Sequence, residues 1–129
     1  MLKKYLFFTL ILISILGCAT KVPAKNTAEE DAAQLQIKRA AIEALSESET
    51  CTNPLDWTYT PFGSKPCGGP WSYIAYSNNI DLVNFLNLVE EFRLEEEAYN
   101  IKWGAISDCS LAPEPSEVDC QDGLAVLVY

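Results

Sequence analysis

Apolar and polar positions divide the chain into two stretches of helical spacing, two strand-like runs and two proline-rich interludes. From Ala28 to Glu49 the chain is rich in Ala, Glu, Gln and Leu, all good helix formers. Thr27 followed three residues later by Glu30 forms the capping-box pattern, so the spacing predicts a helix over 28–49. Its apolar stripe, Leu35, Ile42 and Leu45 with Ala41 beside them, is narrow, and Lys38 and Arg39 interrupt the surface around it. Two readings stay open for this helix, a stalk or an element laid on a domain. Its pattern barely reaches two heptads, which is short for a coiled coil.

Trp71 to Ser77 alternates with period two, Trp71, Tyr73 and Ala75 on one face and Ser72, Ile74 and Tyr76 on the other. This predicts a strand buried on one side. The strongest helical pattern follows over about 81–99, where Leu82, Phe85, Leu86, Val89, Phe92 and Tyr99 recur at helical spacing as candidate core. Asn78 or Asn79 is the expected cap, with Asp81 in the first turn where the helix dipole favours an acid. Gly104 permits a sharp exit from this helix. Gly123 to Tyr129, nearly all apolar, predicts a closing strand inside a sheet. Thr50 to Pro70, with four prolines and three glycines, reads as loop and turn, its Trp57, Tyr59 and Phe62 supplying apolar area. Cys109 to Cys120 reads as a surface loop stiffened by Pro113 and Pro115. The order of these elements predicts a small disulfide-stabilised α+β domain over 50–129, a short antiparallel or mixed sheet packed on one main amphipathic helix.

The beginning of the chain has a different character. Lys3 and Lys4 precede an apolar run from Tyr5 to Leu16, and Gly17 stands just before Cys18. A run of this length is an export signal and falls short of the roughly 20 residues a membrane span needs. Ile15-Leu16-Gly17-Cys18 resembles the lipobox of bacterial lipoproteins, with Ile15 in place of the favoured Leu and Leu16 larger than the usual small residue. The resemblance implies removal of residues 1–17, acylation of Cys18 and anchorage to a membrane by several acyl chains. It also implies a lean toward the outer membrane, because Ala19 follows the cysteine where an Asp would mark inner-membrane retention. Residues 18–27, small and polar with Pro23, form a tether. Further on, Lys65-Pro-Cys-Gly-Gly-Pro70, Tyr73-Ile-Ala-Tyr-Ser77 and Tyr99-Asn-Ile-Lys-Trp-Gly104 are similar to small lipoproteins of Gram-negative bacteria, a likeness that transfers no activity to any residue.

With Cys18 set apart, Cys51, Cys67, Cys109 and Cys120 leave an even number in an exported chain, which predicts two disulfides. Three connectivities are open. The favoured one joins Cys51 to Cys67 and Cys109 to Cys120, each closing a short turn-rich loop. A zinc site is the rival, but there is no C-x-x-C and no histidine. Glu117, Asp119 and Asp122-Gly123 suggest calcium only in outline, outside the EF-hand register. No metal and no cofactor is expected.

The 129 residues carry 9 basic against 18 acidic side chains, a net charge of -9, and loss of Lys3 and Lys4 takes the mature chain to -11. Nucleic acid is an unfavourable partner for such a chain, while a basic protein is a favourable one. Glu90, Glu91, Glu95, Glu96 and Glu97 crowd one helix face, read as a solvated face or as a docking surface. Partner-binding candidates are Glu90, Glu91, Glu95, Trp57, Lys65, Pro113 and Pro115. Without histidine, Ser-His and Cys-His nucleophile systems are excluded. The expected function is therefore non-enzymatic: a lipid-anchored binding or structural protein of the cell envelope. An inhibitor of a basic envelope-attacking hydrolase such as lysozyme is the sharper alternative, and a hydrolase acting through carboxylates alone is the remoter one.

Overall fold

The computed structural model describes residues 26–129. The expected signal peptide, the expected acylation site Cys18 and most of the expected tether lie outside the described residues. Two helices and four strands follow in the order α1 (Ala28–Ser46), β1 (Trp57–Phe62), β2 (Ser72–Ser77), α2 (Leu82–Trp103), β3 (Glu117–Gln121) and β4 (Leu124–Val128). The strands form two separate antiparallel hairpins, β1 with β2 and β3 with β4. The predicted α+β class holds, with two helices and two small sheets in place of one of each.

The capping box forms as the sequence predicts. Thr27 Oγ1 accepts from the Glu30 N–H at 3.2 Å, and the Glu30 carboxylate accepts from the Thr27 N–H at 2.9 Å. The helix is not a stalk. Leu35 and Ile42 are buried in the main core, and Leu45 packs against it. Ion pairs Asp31–Lys102, Lys38–Glu95 and Arg39–Glu96 seam α1 to α2. Ascending positions on α1 meet descending positions on α2, so the helices run antiparallel. The two basic residues that interrupt the stripe of α1 are thus its lateral seam with α2.

On α2, Phe85, Val89 and Phe92 are buried, Leu82 and Tyr99 pack against the core, and Leu86 is exposed. The cap differs from the expected asparagines. Asp81 is the N-cap, its Oδ1 accepting from the Asn84 N–H at 3.1 Å, while Asn79 donates its own N–H to Ser77 Oγ. An aspartate competes well for this position, because its carboxylate satisfies an otherwise unpaired amide at the positive end of the helix. Gly104 closes α2 in the left-handed conformation, and its N–H returns to Asn100 O.

Thr50 to Pro70 is not wholly loop. A 3-10 turn at Pro54–Asp56 leads into β1. The residues Trp57-Thr-Tyr-Thr-Pro-Phe62 are aromatic and β-branched, and the prolines had masked that pattern. Pro61 is tolerated because of its register. Asn78 donates its N–H to Asp56 O, so pairing alternates from there and Pro61 falls opposite Tyr73 at a position whose N–H would face away from β2.

Hairpin β1–β2 is buried on both faces, where one buried face was expected. Phe62, Ile74 and Tyr76 meet the helices, with Phe62 on Phe92 at 5.2 Å and Tyr76 on Phe85 at 4.9 Å between ring centroids. Trp57, Tyr59 and Ala75 meet Val118, Cys120, Ala125 and Leu127 of the second hairpin. Three layers result: two helices, a central hairpin and an outer hairpin. The segment Cys109–Cys120 likewise contains a strand. Its sign was Asp122-Gly123, whose backbone φ angles of 52° and 82° make the two-residue turn between β3 and β4. The closing strand β4 is consequently one of a pair and not a sheet interior, its apolar residues being only half covered, with Leu124 exposed.

Both disulfides exist, with a pairing other than the favoured one. Cys51 joins Cys120 and Cys67 joins Cys109, each with Cα atoms 5.3 Å apart. Nearness in sequence misleads because the layers bring distant segments together. Cys51 donates its N–H to Gly123 O at 2.8 Å and so lies against the outer hairpin. The bridges span 69 and 42 residues, one nested in the other. Loops of this size remove about 4 kcal/mol each from the freedom of the unfolded chain on the chain-entropy model.

Candidate functional site

Three segments converge at one end of the molecule: the turn after β1, the C-terminal half of α2, and the loop from Ala105 to Ser116 that connects α2 to β3. The turn begins at Gly63, whose φ of +80° suits glycine. A Cβ at Gly63 would lie 2.7 Å from Glu96 Oε2 and 3.0 Å from Trp71 Cδ1, so glycine is what lets the turn approach α2. There the Ser64 N–H donates to Glu96 Oε2 at 2.6 Å, and Asn100 Nδ2 donates to Ser64 O at 2.8 Å. Two side chains of α2 thereby clamp the backbone of Ser64 through both its N–H and its C=O. Gly68 and Gly69, both at positive φ, complete a tight turn in which the Lys65 N–H donates to Gly69 O and Lys65 O accepts from the Gly68 N–H.

Glu96 is not part of a solvated face. Burial pushes its carboxyl up from the ordinary range, and the Ser64 amide and the Arg39 guanidinium pull against that shift. Arg39 lies 3.8 Å from Glu96 and 4.7 Å above the Phe62 ring, within cation–π range. The other glutamates divide between neighbours. Glu95 pairs with Lys38 of α1, and Glu90 and Glu97 both hold Arg93. Of the proposed docking row, Glu91 is the exposed residue that has no ion pair among the described residues.

Lys65 is 7% exposed and does not reach a surface partner. Its Nζ donates to Ser110 O at 2.6 Å and Ser110 Oγ at 3.0 Å, lies 3.3 Å from Asp108 Oδ1, and sits over the Trp71 ring. It is a pin for the connecting loop, next to the Cys67–Cys109 bridge. Trp57 is likewise buried, between the hairpins, and Pro115 is buried, whereas Pro113 is exposed. Among the sequence candidates, therefore, Lys65, Trp57 and Pro115 build the scaffold, and Glu91 and Pro113 face solvent.

The pinned loop displays Ile106 at 92% and Leu111 at 87% exposure. At its base an open groove of about 410 Å³ runs between α1, α2 and Trp71. Leu35, Trp71, Tyr99 and Ile106 give it apolar walls, and Arg39, Glu96 and Asn100 give it polar ones. Such a lining can seat an apolar anchor and orient it through a few polar groups. Glu96 is the one carboxylate among the residues lining it, so the pair of acids that glycoside hydrolysis requires is not assembled there. Sequence reasoning passed over Arg39, Trp71, Ile106 and Leu111 as site residues. Two large apolar residues in a short loop between a glycine exit and two prolines were the available sign. Compared with family models, curated proteins and solved structures, the chain matches none of them.

Proposed function

We propose that this chain is a lipid-anchored, non-enzymatic binding or structural protein of the cell envelope, held through acylated Cys18 and more at the outer than at the inner membrane. One observation carries the binding reading: a loop pinned by Lys65 and by Cys67–Cys109 holds Ile106 and Leu111 in solvent beside an amphipathic groove. Fixing exposed apolar side chains in advance lowers the ordering cost of association. Buried polar side chains among the described residues are all hydrogen-bonded, so none of them requires a partner protein to satisfy it. The anchor rests on the Ile15–Cys18 sequence. Radiolabelled palmitate should enter the wild-type chain and not Cys18→Ser. Ile106→Asp with Leu111→Asp should abolish capture of the envelope partner that the wild-type chain retains, with circular dichroism unchanged; undiminished capture would move the site elsewhere.

A second reading is favoured by the net charge of -9, by exposed Asp108 and Glu114 on the connecting loop and by exposed Glu91 on α2. It makes the partner a basic envelope-attacking hydrolase such as lysozyme, with the loop as the inserting element. Electrostatic steering weakens with salt. Inhibition of lysozyme should then fall steeply between about 10 and 150 mM salt through a slower on-rate, and absence of inhibition at low salt rules this reading out.

A further inference from the structure

The outer hairpin leaves one strand edge open beside a groove. The two-residue turn makes Gln121 and Leu124 a hydrogen-bonded pair, so pairing alternates along β4 and Ala125 and Leu127 direct their N–H and C=O groups away from β3. None of these groups has a backbone partner outside β3 among the described residues. By the same alternation on the central hairpin, Tyr73 and Ala75 of β2 direct theirs away from β1. These stretches of β2 and β4 line a common groove of about 270 Å³. The opposite side of the central hairpin is guarded, since Pro61 on β1 offers no N–H there.

We propose that the free edge of β4 receives an extended, basic peptide segment of a partner protein as an added strand. Strand addition gains its affinity from main-chain hydrogen bonds and its selectivity from pockets for alternate side chains. Here the apolar wall of Leu124 to Leu127 and Tyr73 to Ala75 accepts apolar side chains. Charge decides the rest. Glu47 and Glu49 are the charged residues lining the groove. The Cys51 N–H on Gly123 O holds this acidic segment at the turn end of β4. A lysine or arginine near one end of the incoming strand meets them. A second copy of this chain is disfavoured as occupant, because it would bring together two chains of net charge -9 and supply no basic residue on β4 to meet these glutamates. The inference goes beyond the loop and groove described above, since it lies on the outer hairpin layer and needs neither the lipid anchor nor Ile106.

Two synthetic peptides test it, KTVTVTK and its acidic counterpart ETVTVTE, titrated into the full-length chain in detergent and followed by amide NMR. Binding of KTVTVTK should protect the Ala125 and Leu127 amides from exchange and be at least tenfold tighter than binding of ETVTVTE at low salt. Ala125→Pro removes an outward N–H without breaking the bonds to β3 and should reduce affinity at least tenfold. If that variant misfolds, Glu47→Gln with Glu49→Gln decides, and should erase the preference between the two peptides. Ile106→Asp should leave the response in place, which separates this edge from the loop site. Equal binding of both peptides, protection confined to other amides, or concentration-dependent dimers that protect Ala125 and Leu127 without peptide would overturn the proposal.

Discussion

Asp31 shows how much a single half-buried side chain can organise. Its carboxylate accepts from Lys102 Nζ at 2.5 Å, Trp103 Nε1 at 3.0 Å and Asn26 Nδ2 at 2.9 Å, tying the start of α1 to the end of α2. Those hydrogen bonds, that from Lys102 foremost, lower its pKa from 3.8 to about 2. A lowered folded-state value means that the contribution is present above the unfolded value and is lost as pH falls through the folded one. Asp31→Asn should therefore flatten the dependence of the urea midpoint on pH between about 4 and 2. Glu96 has the opposite sign, because burial raises its pKa. Its contribution is greatest in acid and is lost as pH rises through the raised value. Glu96→Gln keeps an acceptor for the Ser64 N–H and removes that pH dependence, so it should cost little at pH 7. Glu96→Ala leaves the amide without a partner and should cost about 1–3 kcal/mol, both read from urea unfolding.

At the scale of the element, the legible parts were those in which one local rule acted alone. The capping box of α1, the core stripe Phe85, Val89 and Phe92 on α2, the alternation of β2 and the glycine exit at Gly104 were all present in the sequence. The strands β1 and β3 were not read, each for a physical reason. Proline ordinarily breaks a strand, but Pro61 sits at a register position that asks for no N–H. The residues Glu117-Val-Asp-Cys-Gln121 carry little apolar content because only Val118 and Cys120 face inward. Disulfide pairing belongs to this scale as well, since it depends on which elements meet. Non-reducing peptide mapping should return Cys51–Cys120 and Cys67–Cys109, and a Cys51–Cys67 peptide would contradict the layered fold. Replacing Cys67 and Cys109 by Ala should lower stability by about 2–4 kcal/mol and speed amide exchange in 105–116, with the helix core retained.

For the molecule as a whole, α1 is structural, and the described residues form one body of three layers. Phe62 and Phe92 are sealed on one side by Arg39, Leu35 and Ile42 of α1. Removing residues 26–46 would expose two buried phenylalanines and cancel the seam of ion pairs. The remainder should lose cooperative thermal unfolding, as monitored by near-ultraviolet circular dichroism; a sharp transition in the truncated chain would restore the stalk reading. The crowding of glutamates that looked like a single docking face is, Glu91 apart, divided among Lys38, Arg39, Arg93 and the Ser64 amide. That division leaves the negative potential of the molecule to its other acids and to its net charge.

The sequence by itself determined what depends on neighbours along the chain: the acidic balance, the capping box of α1, the helix stripes, the strand at β2 and the commitment of four cysteines to crosslinks. Tertiary structure alone decided what depends on which segments meet. Pairing of the cysteines, burial of Lys65 as a loop pin, the raised pKa of Glu96 and the double burial of the central hairpin all arise from contacts between residues far apart in sequence. Local propensity fixes the face that an element offers, and the packing of layers fixes what lies against it.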